Sequence, residues 1–164
     1  MDVTQDELER LAAQVGTLLQ LRRWRLATAE SCTGGWVAQT VTAIPGSSAW
    51  FDRGFVTYSN EAKREMLGVQ AQTLAAFGAV SEATVGEMAS GALTRSQAEA
   101  AIAISGIAGP SGGSADKPVG TVCFAWALAG RTVETTTRLF HGDRRVIRAQ
   151  SVRFALQGLL DRLQ

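Results

Sequence analysis

Residues Ala100–Ile104 form an unbroken apolar run, AAIAI, which gives way at once to Ser105–Gly113, a stretch holding four glycines and a proline. A short apolar run ended by turn residues is the pattern of a strand buried on both faces. Such a strand needs a covering layer on each side, so helices are expected above and below one sheet. The rest of the chain supplies them. Leu8, Leu11, Ala12, Val15, Leu18 and Leu19 recur at helical spacing and predict an amphipathic helix over 4–22. Arg25–Ala29 reads as a short buried strand, and Thr33-Gly34-Gly35 opens a helix running to about Thr42. After the loop Pro45-Gly46-Ser47-Ser48, Trp50–Tyr58 is rich in aromatic and β-branched residues and predicts a second strand. Asn60 is the expected cap of a helix over Glu61–Leu67, and Ser81 with Glu82 starts another to about Arg95. Val119–Leu128 and Thr132–Phe140 alternate around Ala129-Gly130, the mark of a hairpin. Val152, Leu156, Leu159, Leu160 and Leu163 place a last helix over 143–163. The expected fold is one α/β domain over 1–164, a three-layer α/β/α sandwich whose mixed, mainly parallel sheet ends in a β-hairpin.

Bulk properties narrow the function. The formal net charge of +1 gives no reason to expect nucleic-acid binding, which needs a basic surface. No apolar run reaches a membrane span, and the charged segment MDVTQDELERLAAQVG does not read as a signal peptide. Cys32 and Cys123 make neither a disulfide framework nor a CxxC pair, so a cytoplasmic location is expected. The single histidine, His141, excludes sites that need two imidazoles, and no metal or cofactor site is expected. Of 16 basic residues only Lys63 and Lys117 are lysines. Lysine alone among them can give up its proton at a useful pH, so either could stand where that property is required.

In sheets of this kind ligands bind beyond the carboxyl ends of the strands. Three segments have that address: Glu30–Gly35, Thr57–Lys63 and Ser105–Gly113. A serine between a strand and a helix, as Ser31 is, would be exposed on a turn beside outward-pointing amides, the logic of a nucleophile elbow. Equally, Ser31 and Thr33 could simply cap the helix. A serine nucleophile needs a base. Lys63, one turn beyond Asn60, could serve as one after losing its proton, or be a solvated helix lysine. His141 is the alternative base but has no patterned carboxylate partner. Tyr58, the only tyrosine, could hold or relay a proton, or be an ordinary strand aromatic. The Ser105–Gly113 loop could cradle a phosphate with its backbone, although it matches neither the Walker A nor the Rossmann pattern. Arg144, Arg145 and Arg148 could clamp a phosphate or form a solvated face. Cys32 is a weaker candidate nucleophile, with no partner to activate it.

Five blocks occur together and in order: Ala29-Glu30-Ser31-Cys32-Thr33-Gly34-Gly35, Gly54-Phe55-Val56-Thr57-Tyr58-Ser59-Asn60-Glu61-Ala62-Lys63, Gly78-Ala79-Val80-Ser81-Glu82, Ser105-Gly106-Ile107-Ala108-Gly109-Pro110 and Lys117-Pro118-Val119-Gly120-Thr121-Val122. With them the chain resembles the CinA C-terminal domain family, in particular its stand-alone nicotinamide-nucleotide amidohydrolases, over about residues 6–160. The resemblance implies hydrolysis of nicotinamide mononucleotide to nicotinic acid mononucleotide and ammonia in pyridine nucleotide recycling. It also implies a three-layer α/β/α homo-oligomer. The family's serine nucleophile falls on Ser31, its lysine on Lys63, and a tyrosine near the site on Tyr58. Amides around Thr33, Gly34 and Gly35 are then the expected oxyanion donors. Asn60, Ser105, Gly106, Gly109 and Arg145 complete the expected substrate-binding set. The phosphohydrolase domain that some members carry in front is not expected in a chain of this length. Two other readings remain: a non-catalytic nucleotide-binding module tied to competence or DNA damage, and an amidohydrolase for a different amide.

Overall fold

A computed structural model describes residues 2–164. Helix α1 (Gln5–Arg22) leads into strand β1 (Leu26–Glu30), followed by α2 (Trp36–Thr42), a 3-10 turn (Ser47–Ala49) and β2 (Phe51–Val56). Three helices come next, α3 (Asn60–Leu67), α4 (Ala71–Phe77) and α5 (Glu82–Thr94). Strands β3 (Ala100–Gly106), β4 (Thr121–Leu128) and β5 (Glu134–Leu139) precede the last helix, α6 (Arg144–Leu163). The sheet order is β2-β1-β3-β4-β5, with β2, β1 and β3 parallel and β4 antiparallel to both neighbours. The three-layer mixed sheet ending in a hairpin is therefore as the residue pattern predicts. No helix among the described residues is long and apolar enough to cross a membrane.

The two faces of the sheet carry different side chains, because strand residues alternate. One face bears Leu26, Ile102, Ile104, Phe124 and Trp126 beneath α1, α2 and α6. The other bears Ala27, Ala29, Ala101, Ala103, Ala125 and Ala127 beneath α5. Alanine lets a helix backbone approach the sheet closely, and α5 in turn runs tight against the end of α3. A Cβ on Gly91 would lie 1.9 Å from the Leu67 carbonyl oxygen, so only glycine fits there.

Two local expectations change. The cap of α3 is Ser59, whose hydroxyl accepts from the Ala62 amide, and Asn60 is the first helical residue. Helix α4 was not expected: it is seven residues long and its N-cap, Gln70, makes no side-chain capping bond.

The chain passes from β1 to β2 on one side and returns to β3 on the other, so the order reverses at β1 and β3. Crevices form outside the carboxyl ends of strands at such a switch point. Glu30, the last residue of β1, is in register with Val56 and Ile104, which brings Ser31, Thr57 and Ser105 to one edge.

Candidate active site

A cavity of about 250 Å³ opens at this edge, lined by Ser31, Cys32, Tyr58, Asn60, Lys63, Ala79, Val80, Ser105, Gly106, Ala108 and Arg144. It joins all three segments singled out by their glycines and strand ends, and adds Ala79 and Val80 from the turn before α5.

Ser31 is buried, at 8% exposure, rather than exposed on its turn. Lys63 is 1% exposed and reaches from the first turns of α3 to the floor of the cavity. As an ammonium it donates to Ser31 Oγ and to the Thr57 carbonyl, each at 3.0 Å. Among the described residues no carboxylate lies within 4.0 Å of Nζ. Burial therefore lowers its pKa from the ordinary lysine value, and the neighbouring Cys32 offsets that shift only in part. Once neutral, Nζ directs a lone pair at the Ser31 hydroxyl, the geometry of a nucleophile and its base.

Neither Ser31 nor Thr33 caps α2. Its N-cap is Gly35, with φ of +101° following Gly34 at +60°, a left-handed pair that suits glycine. The capping group is Glu30, 1% exposed, a residue to which no role was assigned from the sequence. Its Oε1 accepts from the Thr33 hydroxyl (2.7 Å) and the Val37 amide (2.9 Å), and its Oε2 from the Ala38 amide (3.1 Å). The carboxylate satisfies orphan donors at the positive end of the helix dipole. Its placement at the end of β1, seven and eight residues before those amides, is the signal that could have revealed it.

The expected donors divide. The Gly34 amide is committed to the Ser31 carbonyl at 3.0 Å, so it is not available to a ligand. The amides of Cys32, Thr33 and Gly35 have no backbone or side-chain oxygen as partner among the described residues. Cys32 lines the cavity, but burial pushes its thiol up to about 12, despite Arg148 nearby, which leaves it a neutral packing group near pH 7.

Tyr58 stands at the mouth, 63% exposed, where its hydroxyl accepts from Arg144 Nη2 at 3.1 Å. It bonds neither Ser31 nor Lys63. Arg144 Nη1 also donates to the Gly109 carbonyl at 2.8 Å, tying the glycine loop to α6. Arg144, not Arg145, is thus the arginine on the cavity; Arg145 is exposed and does not line it. Gly109 acts through its carbonyl and is not part of the wall, whereas Ser105, Gly106 and Asn60 are. Arg148 turns inward and donates to the carbonyls of Cys32 and Thr33. Lys117 lies away from the cavity and donates to the Phe77 carbonyl at the end of α4, while His141 is exposed. Among the described residues no group of three or more His, Cys, Asp or Glu comes together as metal ligands would.

A protein of Escherichia coli (strain K12) named nicotinamide-nucleotide amidohydrolase PncC is 57% identical over 157 residues, covering 96% of this chain and 95% of that one. A Pseudomonas putida protein of the same name is 48% identical over 155 residues, covering 94% of this chain and 96% of its own. The crystal structure of the competence/damage inducible protein CihA from Agrobacterium tumefaciens superposes with a TM-score of 0.93 at 49% identity, covering 96% of each chain. The family model of the CinA C-terminal domain matches residues 8–163, and the chain belongs to that family.

Proposed function

We propose that this chain hydrolyses the carboxamide of nicotinamide mononucleotide to nicotinic acid mononucleotide and ammonia. The observation that carries the proposal is the buried Lys63 Nζ, 3.0 Å from Ser31 Oγ and without a carboxylate partner. A nucleotide-binding module has no need of a desolvated lysine aimed at a serine, and the named activity of the E. coli and P. putida relatives supplies the substrate.

In this reading neutral Lys63 takes the Ser31 proton as Oγ attacks the carboxamide carbon. The oxyanion forms against the free amides beside Ser31, where each donor is worth about 3–4 kcal/mol in comparable sites. Collapse breaks the C–N bond, Lys63 returns the proton to the leaving nitrogen, and ammonia departs. Water, deprotonated by Lys63, then attacks the acyl-serine and releases the carboxylic acid with Ser31 restored. Tyr58, which bonds neither Ser31 nor Lys63 and accepts from Arg144 at the mouth, is given no proton-transfer step in this reading. A cavity of about 250 Å³ takes the pyridine carboxamide, with ribose and phosphate toward the mouth and Arg144. A homo-oligomeric, cytoplasmic enzyme of pyridine nucleotide recycling completes the proposal, carried over from the family resemblance.

The test is ammonia release from nicotinamide mononucleotide by the purified chain, with Ser31→Ala as control. Turnover that vanishes in Ser31→Ala supports the reading. Tight nucleotide binding without turnover would replace it with a binding module. Turnover of other amides but not of this one would keep the chemistry and discard the substrate.

A further inference from the structure

Arg148 makes no ion pair: among the described residues no carboxylate lies within 4.0 Å of its guanidinium. It spends its charge on peptide carbonyls of the nucleophile turn, more than a hundred residues away in the chain. Nε donates to the Cys32 oxygen and Nη2 to the Thr33 oxygen, both at 3.0 Å, while the guanidinium stacks 5.4 Å from the centre of the Trp36 ring.

The consequence follows from peptide geometry. In a trans peptide the C=O and the next residue's N–H point in opposite directions in one plane. Holding the Cys32 carbonyl aims the Thr33 N–H away from Arg148. Holding the Thr33 carbonyl fixes the plane that carries the Gly34 N–H, and that N–H donates to the Ser31 carbonyl at 3.0 Å. The Ser31 carbonyl shares its plane with the Cys32 N–H. Two chains of bonds therefore leave the guanidinium. One ends on the Thr33 amide after a single peptide, and the other on the Cys32 amide after two, and neither amide has an oxygen partner among the described residues. Cys32 and Ser31 both line the cavity. Hydrogen bonds from a charged donor are about twice as strong as neutral ones, and bonds in series polarise one another.

We propose that Arg148 is the positioning residue of the oxyanion site, aligning and polarising the Cys32 and Thr33 amides toward the atom that Ser31 attacks. The inference rests on the acyl-transfer reading above. A lysine would not replace it: one ammonium is a point charge, whereas the planar fork holds two successive carbonyls at once. Arg148 touches no reacting atom and acts only through the turn.

The experiment uses the full chain with Arg148→Lys and Arg148→Met. In the ligand-free protein, amide NMR reads the Cys32 and Thr33 proton shifts and the exchange rate of the Gly34 amide. Steady-state ammonia release from nicotinamide mononucleotide reads kcat and KM. The expected result is an upfield move of both amide protons and at least roughly tenfold faster exchange at Gly34. With it, kcat should fall by roughly 10-fold to 10²-fold, less than the roughly 10²–10³ seen when a donor is deleted outright, and KM should stay within about threefold. Arg148→Lys, which keeps the charge, decides the matter should Arg148→Met fail to fold. Unchanged amide signals in it overturn the relay whatever the activity does. Altered signals with unchanged kcat also overturn it, since those amides would then not serve the oxyanion. A rise in KM alone would make Arg148 a substrate ligand instead. An inactive wild type would overturn the functional reading, and the amide measurements would still decide the relay.

Discussion

Lys63 Nζ and Ser31 Oγ are 3.0 Å apart although 32 positions separate them, and the Thr57 carbonyl is the only other partner of that nitrogen among the described residues. Because burial lowers the Lys63 pKa, a usable fraction is neutral at lower pH than for a free lysine. The profile of kcat/KM should rise with pH through an apparent pKa below 10.5. Arginine keeps the charge but cannot surrender a proton. Lys63→Arg should therefore lose at least roughly 10²-fold in kcat, the ordinary worth of a general base, and its residual activity should lack the rising limb. An arginine variant that raised KM and kept the limb would remove Lys63 from proton transfer.

Ser31 and Cys32 are adjacent nucleophile candidates that the geometry separates. Lys63 bonds the serine, whereas the buried thiol is pushed up to about 12 and stays protonated. Ser31→Ala should abolish turnover and keep nucleotide binding, since it removes one hydroxyl and no helix cap. Cys32→Ala should retain at least roughly a third of kcat, because the Cys32 backbone amide, not its side chain, faces the reaction in a site of this kind. Calorimetric binding alongside kinetics on both variants checks this. An inactive Cys32→Ala with an active Ser31→Ala would reverse the assignment.

The layers and the meeting of three loops were legible because they follow from periodicity and from glycine placement. AAIAI had to be a strand covered on both sides, and a strand order reversing beside it puts a crevice at its end. What escaped depended on one-residue phase or on distant partners. Ser59 and Asn60 are both good caps, and the local turn geometry chose the first. Arg144 and Arg145 differ by about 100° around α6, so the exact start of that helix decides which reaches the cavity. Glu30 looked like one letter of a motif, because its role exists only once α2 folds back over the end of β1. The Ser31–Lys63 contact likewise hangs on the Glu30–Val56 register, which no local pattern states.

Glu30 gives a stability prediction. Its two oxygens accept three hydrogen bonds, two of them from the Val37 and Ala38 amides at the start of α2. Glu30→Gln keeps the shape but has one acceptor oxygen. With that oxygen toward Val37, the new amide nitrogen faces the Ala38 N–H, donor against donor. A buried donor left without a partner costs about 1–3 kcal/mol, so the unfolding free energy should fall by that amount, read as a lower urea midpoint with an unchanged slope. Activity should fall as well, since the same carboxylate holds Thr33 in the nucleophile turn. A Glu30→Gln variant as stable as the parent would mean that the carboxylate charge and its second oxygen contribute nothing to capping α2.

Lys63 also leaves a mark on stability, with a definite sign. The unfolded chain holds the lysine proton up to about 10.5, while the folded protein loses it at lower pH because burial disfavours the charge. Between those two values the unfolded state binds more protons, so wild-type stability rises with pH across that window. Below the folded pKa the penalty is present in full, and above about 10.5 it is gone. Lys63→Met fills similar space and never pays it. The methionine also leaves the Thr57 carbonyl and the Ser31 hydroxyl without their partner, but that cost does not depend on pH, so the slope is the test rather than the offset. Across melting temperatures measured from neutral pH upward, the wild type should gain on the variant: any advantage of Lys63→Met shrinks, or its deficit grows, as pH approaches 10.5. A difference independent of pH would mean that the ammonium suffers no penalty in its pocket. A trend of the opposite sign would mean that the folded protein prefers the charged form, and Lys63 would then be unfit to act as a base near neutrality.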